Sequence, residues 1–280
     1  NRNNSFVIGI DHLSQSDDRK RFKNNFGLKG DVTLSQMENF DSTGLYLVNQ
    51  TTFNTGFLFR YGIRYDINVI GIDSNSKINL DKINPSLGLS YTINASDNLF
   101  FSFGTSFETP TLNELSNNPD GSGFNKDLNS NNAVNYEIGW RKSLTNISFE
   151  AVAYITSSDN EILPYEIEQF PGKNFYRNVG STIRKGIELS STLSFDSGFF
   201  SLNYTFSKNR FKNFVLNGTN LSDNFIPGIP SQMLDLELLF KLSRQRTLIL
   251  TNRLIGERYA DNLNETLISS YNIFNIKYSK

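Results

Sequence analysis

The feature that most constrains this chain is an alternation of two residues, sustained over long stretches with no competing helical period. From Phe57 to Asp66, Phe57, Phe59, Tyr61, Ile63 and Tyr65 fall on one side of an extended strand. Leu58, Arg60, Gly62, Arg64 and Asp66 fall on the other. The same grammar returns at 87–93, 134–141, 200–207, 234–241 (with Leu239 an exception) and 274–279. Successive strand side chains point to opposite faces, so each segment has one apolar, aromatic-rich face and one polar face bearing full charges.

Many of these segments run about 10 to 14 residues, against about 5 to 6 for a typical soluble strand. A tilted membrane-crossing strand needs about 9 to 11. A soluble sandwich also alternates, with its charged face in bulk water. Strand length and the aromatic face favour a transmembrane barrel around a wet lumen. The mean hydropathy of −0.38 fits, because an alternating strand commits only half its residues to lipid. No apolar run of about 18 residues exists, so no helix is expected to cross a membrane.

The connections divide into two kinds. Short ones are expected near Thr52–Asn54, Asn94–Asp97, Thr145–Asn146, Asp196–Gly198 and Ser243–Gln245, long ones near Ser14–Asp41, Ile70–Ile83, Pro110–Asn132 and Phe214–Ser231. Medium loops are expected at Glu166–Lys173 and Asp261–Leu267. Outer-membrane barrels have short turns on one rim and long loops on the other. The fold class read from the chain is therefore all-β: part of an antiparallel transmembrane β-barrel, with about twelve strands.

Composition removes several alternatives. A net charge of −1 gives no footprint for nucleic acid. With no cysteine there is neither a disulfide scaffold nor a thiolate metal site. His12 is the one histidine and reads as an ordinary residue near a strand end. Asp17 and Asp18 read as a solvated loop beside Arg19 and Arg21. Glu108 and Glu114 flank Pro110 at a strand-to-loop boundary and do not suggest acid–base chemistry. No phosphate loop, nucleophile elbow or zinc motif is present, so neither an enzyme nor a cofactor is expected. The sequons at Asn94–Ser96 and Asn217–Thr219 reflect a chain rich in these residues.

Residues 84–91 read Asn-Pro-Ser-Leu-Gly-Leu-Ser-Tyr, and residues 98–115 read Asn-Leu-Phe-Phe-Ser-Phe-Gly-Thr-Ser-Phe-Glu-Thr-Pro-Thr-Leu-Asn-Glu-Leu. A Gly/Asn-rich loop follows, then Asn135-Tyr136-Glu137-Ile138-Gly139-Trp140-Arg141. This order resembles the barrel of TonB-dependent outer-membrane receptors, as do Asn178-Val179-Gly180, Gly186-Ile187-Glu188-Leu189 and Gly62-Ile63-Arg64-Tyr65-Asp66. On that resemblance Pro110, Leu112, Glu114, Tyr136, Glu137 and Gly139 are structural motif residues. The resemblance implies a plugged barrel of about 22 strands in the bacterial outer membrane. It implies energised uptake of a scarce ligand, most often a ferric siderophore or other iron complex, with the TonB complex and the lipid bilayer as partners. The plug domain, the TonB-contacting segment, a signal peptide and the final strands have no counterpart between Asn1 and Lys280. Residues 1–280 are therefore expected to be a partial barrel domain, and TonB would act through the missing plug segment. A passive porin or anchoring barrel is the alternative, and a soluble β-rich binding module a third.

Within this frame Arg60, Arg64, Asp66, Glu137, Arg141, Arg184 and Glu188 are expected to face the lumen. Asn117, Asn118, Asp120, Phe124 and Asn125 are the candidate external-loop contacts to ligand. Phe170, Phe175 and Tyr176 are read as part of an aromatic girdle at one rim.

Overall fold

A computed structural model of the chain describes residues 2–73, 76–120, 124–216 and 218–280. Gly121, Ser122 and Gly123 of the candidate loop, and Asn217 of a sequon, lie outside the described residues. The first nine strands are β1 (Arg2–Asn25), β2 (Leu28–Phe53), β3 (Phe57–Ile72), β4 (Ser76–Thr92), β5 (Asp97–Glu108), β6 (Asn131–Ser143), β7 (Ile147–Glu166), β8 (Asn174–Phe195) and β9 (Gly198–Asn213). Helix α1 (Leu112–Ser116) lies between β5 and β6. After β9 come the two-residue strands β10 (Val215–Leu216) and β11 (Thr219–Asn220), then β12 (Gln232–Ser243) and β13 (Arg246–Ile255). The short pair β14 (Arg258–Tyr259) and β15 (Leu267–Ile268) precedes the last strand, β16 (Tyr271–Ser279).

Twelve of these strands form one antiparallel sheet, in the order β1 to β9, β12, β13, β16. The sheet is open, with β1 and β16 at its edges. Among the described residues no helix is long and apolar enough to cross a membrane.

Register carries the alternation from strand to strand. Tyr61 pairs with Leu87, Leu87 with Phe103, Phe103 with Tyr136 and Tyr136 with Ile155. This apolar row crosses five strands on the outer face, where Tyr61 is 43% and Tyr136 45% exposed. Bare in water, a face this large would drive aggregation. Against lipid the same face is solvated, while the ladders satisfy the backbone within the sheet.

The short connections fall where expected, and aromatic pairs gather beside them on the outer face. Phe57 stacks on Tyr91 with ring centroids 4.4 Å apart, Trp140 lies 5.2 Å from Phe149, and Phe195 lies 5.3 Å from Phe240. The Trp140 indole N–H donates to Asp97 at 3.1 Å. These are the residues of an interfacial girdle. Phe175 and Tyr176 are not: Phe175 is fully buried and Tyr176 joins an internal cluster, while Phe170 is exposed and rests on Phe175 at 5.6 Å.

The opposite rim departs from expectation. Ser14–Asp41 is not a loop. Strands β1 and β2 stay paired up to a tight turn at Phe26 and Gly27, both at positive φ (53° and 89°). Asp17 and Asp18 are therefore strand residues, and His12 sits mid-strand with Nδ1 3.0 Å from the Thr43 hydroxyl. Nor is Ile70–Ile83 a loop, since β3 runs to Ile72 and β4 begins at Ser76. In this upper region the inner face turns apolar. Ile70, Ile72, Leu115, Phe124 and Leu128 form one buried cluster, with Phe40, Ile78, Leu80, Leu112, Ile162 and Tyr176 against it. Val179, Phe211, Phe214 and Leu221 form a second, with Leu163 against it. Neighbouring residues of β7, Ile162 and Leu163, thus serve different clusters. Just before them Asn160 adopts φ 61°, in the left-handed region, and interrupts the β7–β8 ladder.

Tyr61→Arg places a charge on the lipid-facing row, four residues above the short-turn rim, and should destabilise the barrel by about 2–4 kcal/mol. Urea unfolding in lipid vesicles measures this; an unchanged midpoint would contradict the assignment of faces.

Candidate functional site

The inner wall holds all seven residues read as lumen-facing, in separate networks rather than one ladder. In the first, Arg64 bridges two carboxylates: Nη1 lies 2.7 Å from Asp11 and Nε 2.7 Å from Asp66. Asp11 faces Gly44 on β2, which faces Asp66 on β3. A Cβ on Gly44 would lie 1.9 Å from Arg64 Nη2, so the missing side chain is what lets the guanidinium cross β2. Arg60 is exposed and has no ion-pair partner among the described residues.

In the second network Arg141 pairs with Glu150, and its guanidinium lies 4.3 Å from the Phe100 ring centroid. The Phe100 ring covers Gly139, where a Cβ would meet it at 2.3 Å. Glu137 accepts from Asn135 Nδ2 at 2.7 Å and from the Ser102 hydroxyl at 3.3 Å. Glu188 borders the same polar groove with Tyr154. In the third, Arg184 Nη1 lies 2.6 Å from Glu161, which also accepts from the Thr182 hydroxyl.

Above these networks the β5–β6 connection folds inward across the wall. Pro110 is buried, and Thr111 caps α1. The Thr111 hydroxyl accepts from Glu114 N at 3.2 Å, and Thr111 N donates to the Glu114 carboxylate at 2.8 Å. This capping box explains the Pro-Thr-Leu-Asn-Glu-Leu segment: it starts a single helical turn that drives Leu112 and Leu115 into the first apolar cluster. Tyr136 faces outward and rests on Phe103 at 5.1 Å.

A buried carboxylate clamps this connection. Glu38 is fully buried; its Oε1 accepts from Gln36 Nε2 at 2.7 Å and from the Ser116 hydroxyl, and pairs with Arg19 at 2.7 Å. Arg19 donates to Asn113 at 3.2 Å, and Arg21 to Asn117 at 2.6 Å. On the far side Asn125 Nδ2 donates to the Tyr176 carbonyl at 3.2 Å. Of the loop residues named from sequence, Phe124 and Asn118 are buried, Asn117 and Asn125 are tied to β1 and β8, and Asp120 is exposed. Nearby, Lys173 lies 4.6 Å from the Phe175 ring centroid. Burial, and then the charge of Arg21, hold its ammonium below the usual lysine range.

Sequence reasoning missed Asp11, Glu150, Glu161 and Glu38. A signal existed for Glu150, which sits opposite Arg141 across the short turn at Thr145–Asn146. Asp235 and Arg253 pair in the same way across the short turn at Ser243–Gln245, at 2.5 Å. No local pattern distinguishes Glu38.

The chain matches the family described as TonB dependent receptor-like, beta-barrel, over residues 2–279, and it belongs to that family. It is 34% identical over 107 residues to the vitamin B12 transporter BtuB of Vibrio vulnificus strain CMCP6, covering 38% of this chain and 16% of that one. In structure it is similar to the siderophore receptor PiuA from Acinetobacter baumannii, with TM-score 0.74, 17% identity and coverage of 99% of this chain and 46% of PiuA. It is also similar to the ferric citrate transporter FecA, with TM-score 0.79, 15% identity and coverage of 99% and 44%. The chain thus spans less than half the length of these proteins. The family is one of receptors and transporters rather than enzymes.

Glu38→Ala leaves Arg19 without its carboxylate and frees Ser116. Because Arg19 is partly exposed, the expected cost is about 3 kcal/mol, the lower end for a broken buried pair. The β5–β6 connection should then be cut faster by protease, with Glu38→Gln intermediate. Equal cleavage of all three proteins would show that Glu38 does not hold the connection.

Proposed function

We propose that this chain is about half of the wall of an outer-membrane receptor that takes up a scarce ligand with energy delivered through TonB. The match to the receptor-barrel family over residues 2–279 carries the reading. The apolar outer face and charged inner wall support it physically. The plug and the TonB-contacting segment would belong to the rest of the receptor, and the networks of Arg64, Arg141 and Arg184 would face that plug.

A ferric siderophore or other iron complex is the proposed ligand, supported by likeness to a siderophore receptor and a ferric citrate transporter. The similarity to a vitamin B12 transporter makes a corrinoid the natural comparison. The ligand-facing surface we propose is the β5–β6 connection, reaching outward at Asp120 and along the edge formed by Asn117 and Asn125. Asn118 and Phe124 would set its shape from beneath.

Uptake is tested in the full-length receptor, produced in cells that lack their own iron receptors. Growth on a ferric siderophore should require both the receptor and functional TonB, and deletion of 117–129 should weaken ligand binding. Steady ion conductance of the purified receptor in planar bilayers, with growth independent of TonB, would instead favour a passive pore.

A further inference from the structure

On the outer face, β9 reads Phe200, Leu202, Tyr204, Phe206 and then Lys208, Arg210, Lys212. Strand β8 beside it reads Leu193, Ser191, Leu189 and Ile187 and then Lys185. The change from apolar to cationic falls at one level, because Ile187 pairs with Phe206 and Lys185 with Lys208. Lys208 lies ten residues past Gly198 at the short-turn rim. At about 3.3 Å per residue and about 40° of tilt this is about 25 Å above that rim, the far edge of a lipid-facing band.

Two features set these cations apart. Lys185 and Lys208 are direct cross-strand partners, an arrangement that destabilises a sheet unless something neutralises it. Lys185, Lys208 and Lys212 are exposed, and none of the four cations has an ion-pair partner among the described residues. Arg210 is set in place by a backbone bridge to Phe225, whose ring centroid lies 4.4 Å from its guanidinium. The other strands do not turn cationic at the upper edge of their apolar face. On β1 the outward sequence is Ile10, His12, Ser14, Ser16, Asp18; on β2, Leu45, Thr43, Asp41, Asn39; on β7, Ile155, Ser157, Asp159. A general marking of the headgroup boundary would put cations on every strand, whereas here they occupy one hairpin.

We propose that Lys185, Lys208, Arg210 and Lys212 form a binding site for the phosphates of an anionic lipid in the leaflet at the long-loop rim. The lipid's acyl chains would lie along Ile187, Phe206 and Tyr204. The cations would meet its phosphates at short range in a poorly screened interface. The inference rests on the membrane-barrel reading given above.

The test uses the full-length receptor, purified in detergent and loaded with equal amounts of bisphosphorylated lipid A and phosphatidylcholine. After a delipidating wash, native mass spectrometry counts the lipids retained. The wild type should keep lipid A in preference to phosphatidylcholine. A Lys185→Gln, Lys208→Gln, Lys212→Gln variant should keep about tenfold less lipid A, and the corresponding Lys→Arg variant should keep the wild-type amount. Equal lipid A retention by the Gln variant would overturn the site, as would inorganic phosphate binding as well as lipid A, or an acidic protein bound there instead. Heat-dependent gel mobility of the same samples separates the two claims. A wild type without the mobility shift of a folded barrel contradicts the membrane-barrel reading; normal mobility with unaltered lipid retention contradicts only the site.

Discussion

In a medium that offers no hydrogen bonds, every backbone amide and carbonyl must find its partner within the protein. The twelve-stranded ladder of this chain is one answer to that constraint, and much else in the structure follows from it. Once each strand is tied to its neighbours, residue parity decides what meets lipid and what meets the lumen. The apolar row from Tyr61 to Ile155 and the charged networks around Arg64, Arg141 and Arg184 are two faces of the same register. A slip of one residue would exchange them. The ion pairs across short turns, Arg141 with Glu150 and Arg253 with Asp235, exist only in the correct register.

Above the apolar band the constraint relaxes and the architecture changes. Strands there extend as paired ribbons whose inner face is apolar, and the connections after β5 and β9 fold onto that face to build two small cores. Glu38 sits where ribbon and connection meet. A buried carboxylate of this kind adds little net stability, but it penalises arrangements that leave it unpaired. The β5–β6 connection is thereby given a defined shape over the inner wall; if it meets ligand as proposed, that would lower the ordering cost of binding.

The barrel region was legible in the sequence because two solvents act on its two faces. Phe57–Asp66 and Val134–Arg141 each have a clean contrast, and each proved to be a strand with the faces as read. The upper region was not legible, for reasons visible in particular residues. Ser14–Asp41 is mostly polar, and its few apolar residues, such as Phe22, Leu34, Met37 and Phe40, follow no sustained alternation, so no contrast marks it as strand; Phe26 replaces the Asn or Gly expected in a turn with positive φ. Ile70, Ile72, Ile78 and Leu80 turn the inner face apolar, which erases the contrast from the other side. Phe175 and Tyr176 resemble girdle residues in composition, yet they lie beyond the interruption at Asn160 and pack inward. Pro110–Asn132 was legible as a connection, but the capping box of Thr111 and Glu114, and the fold it starts, were not drawn from the motif.

The central claim is that the odd-numbered residues of Phe57–Tyr65 meet lipid while Arg60, Gly62 and Arg64 meet water. This chain has no cysteine, so once any cysteines elsewhere in the full-length receptor are replaced, single cysteines can be placed from 58 to 65 without background. Each would be spin-labelled in lipid vesicles and its collision rates with oxygen and with a water-soluble nickel chelate measured. The account predicts opposite oscillations with a period of two residues, oxygen contact peaking at 59, 61, 63 and 65 and nickel contact at 60, 62 and 64. Nickel contact equally high at every position would contradict a lipid-facing wall.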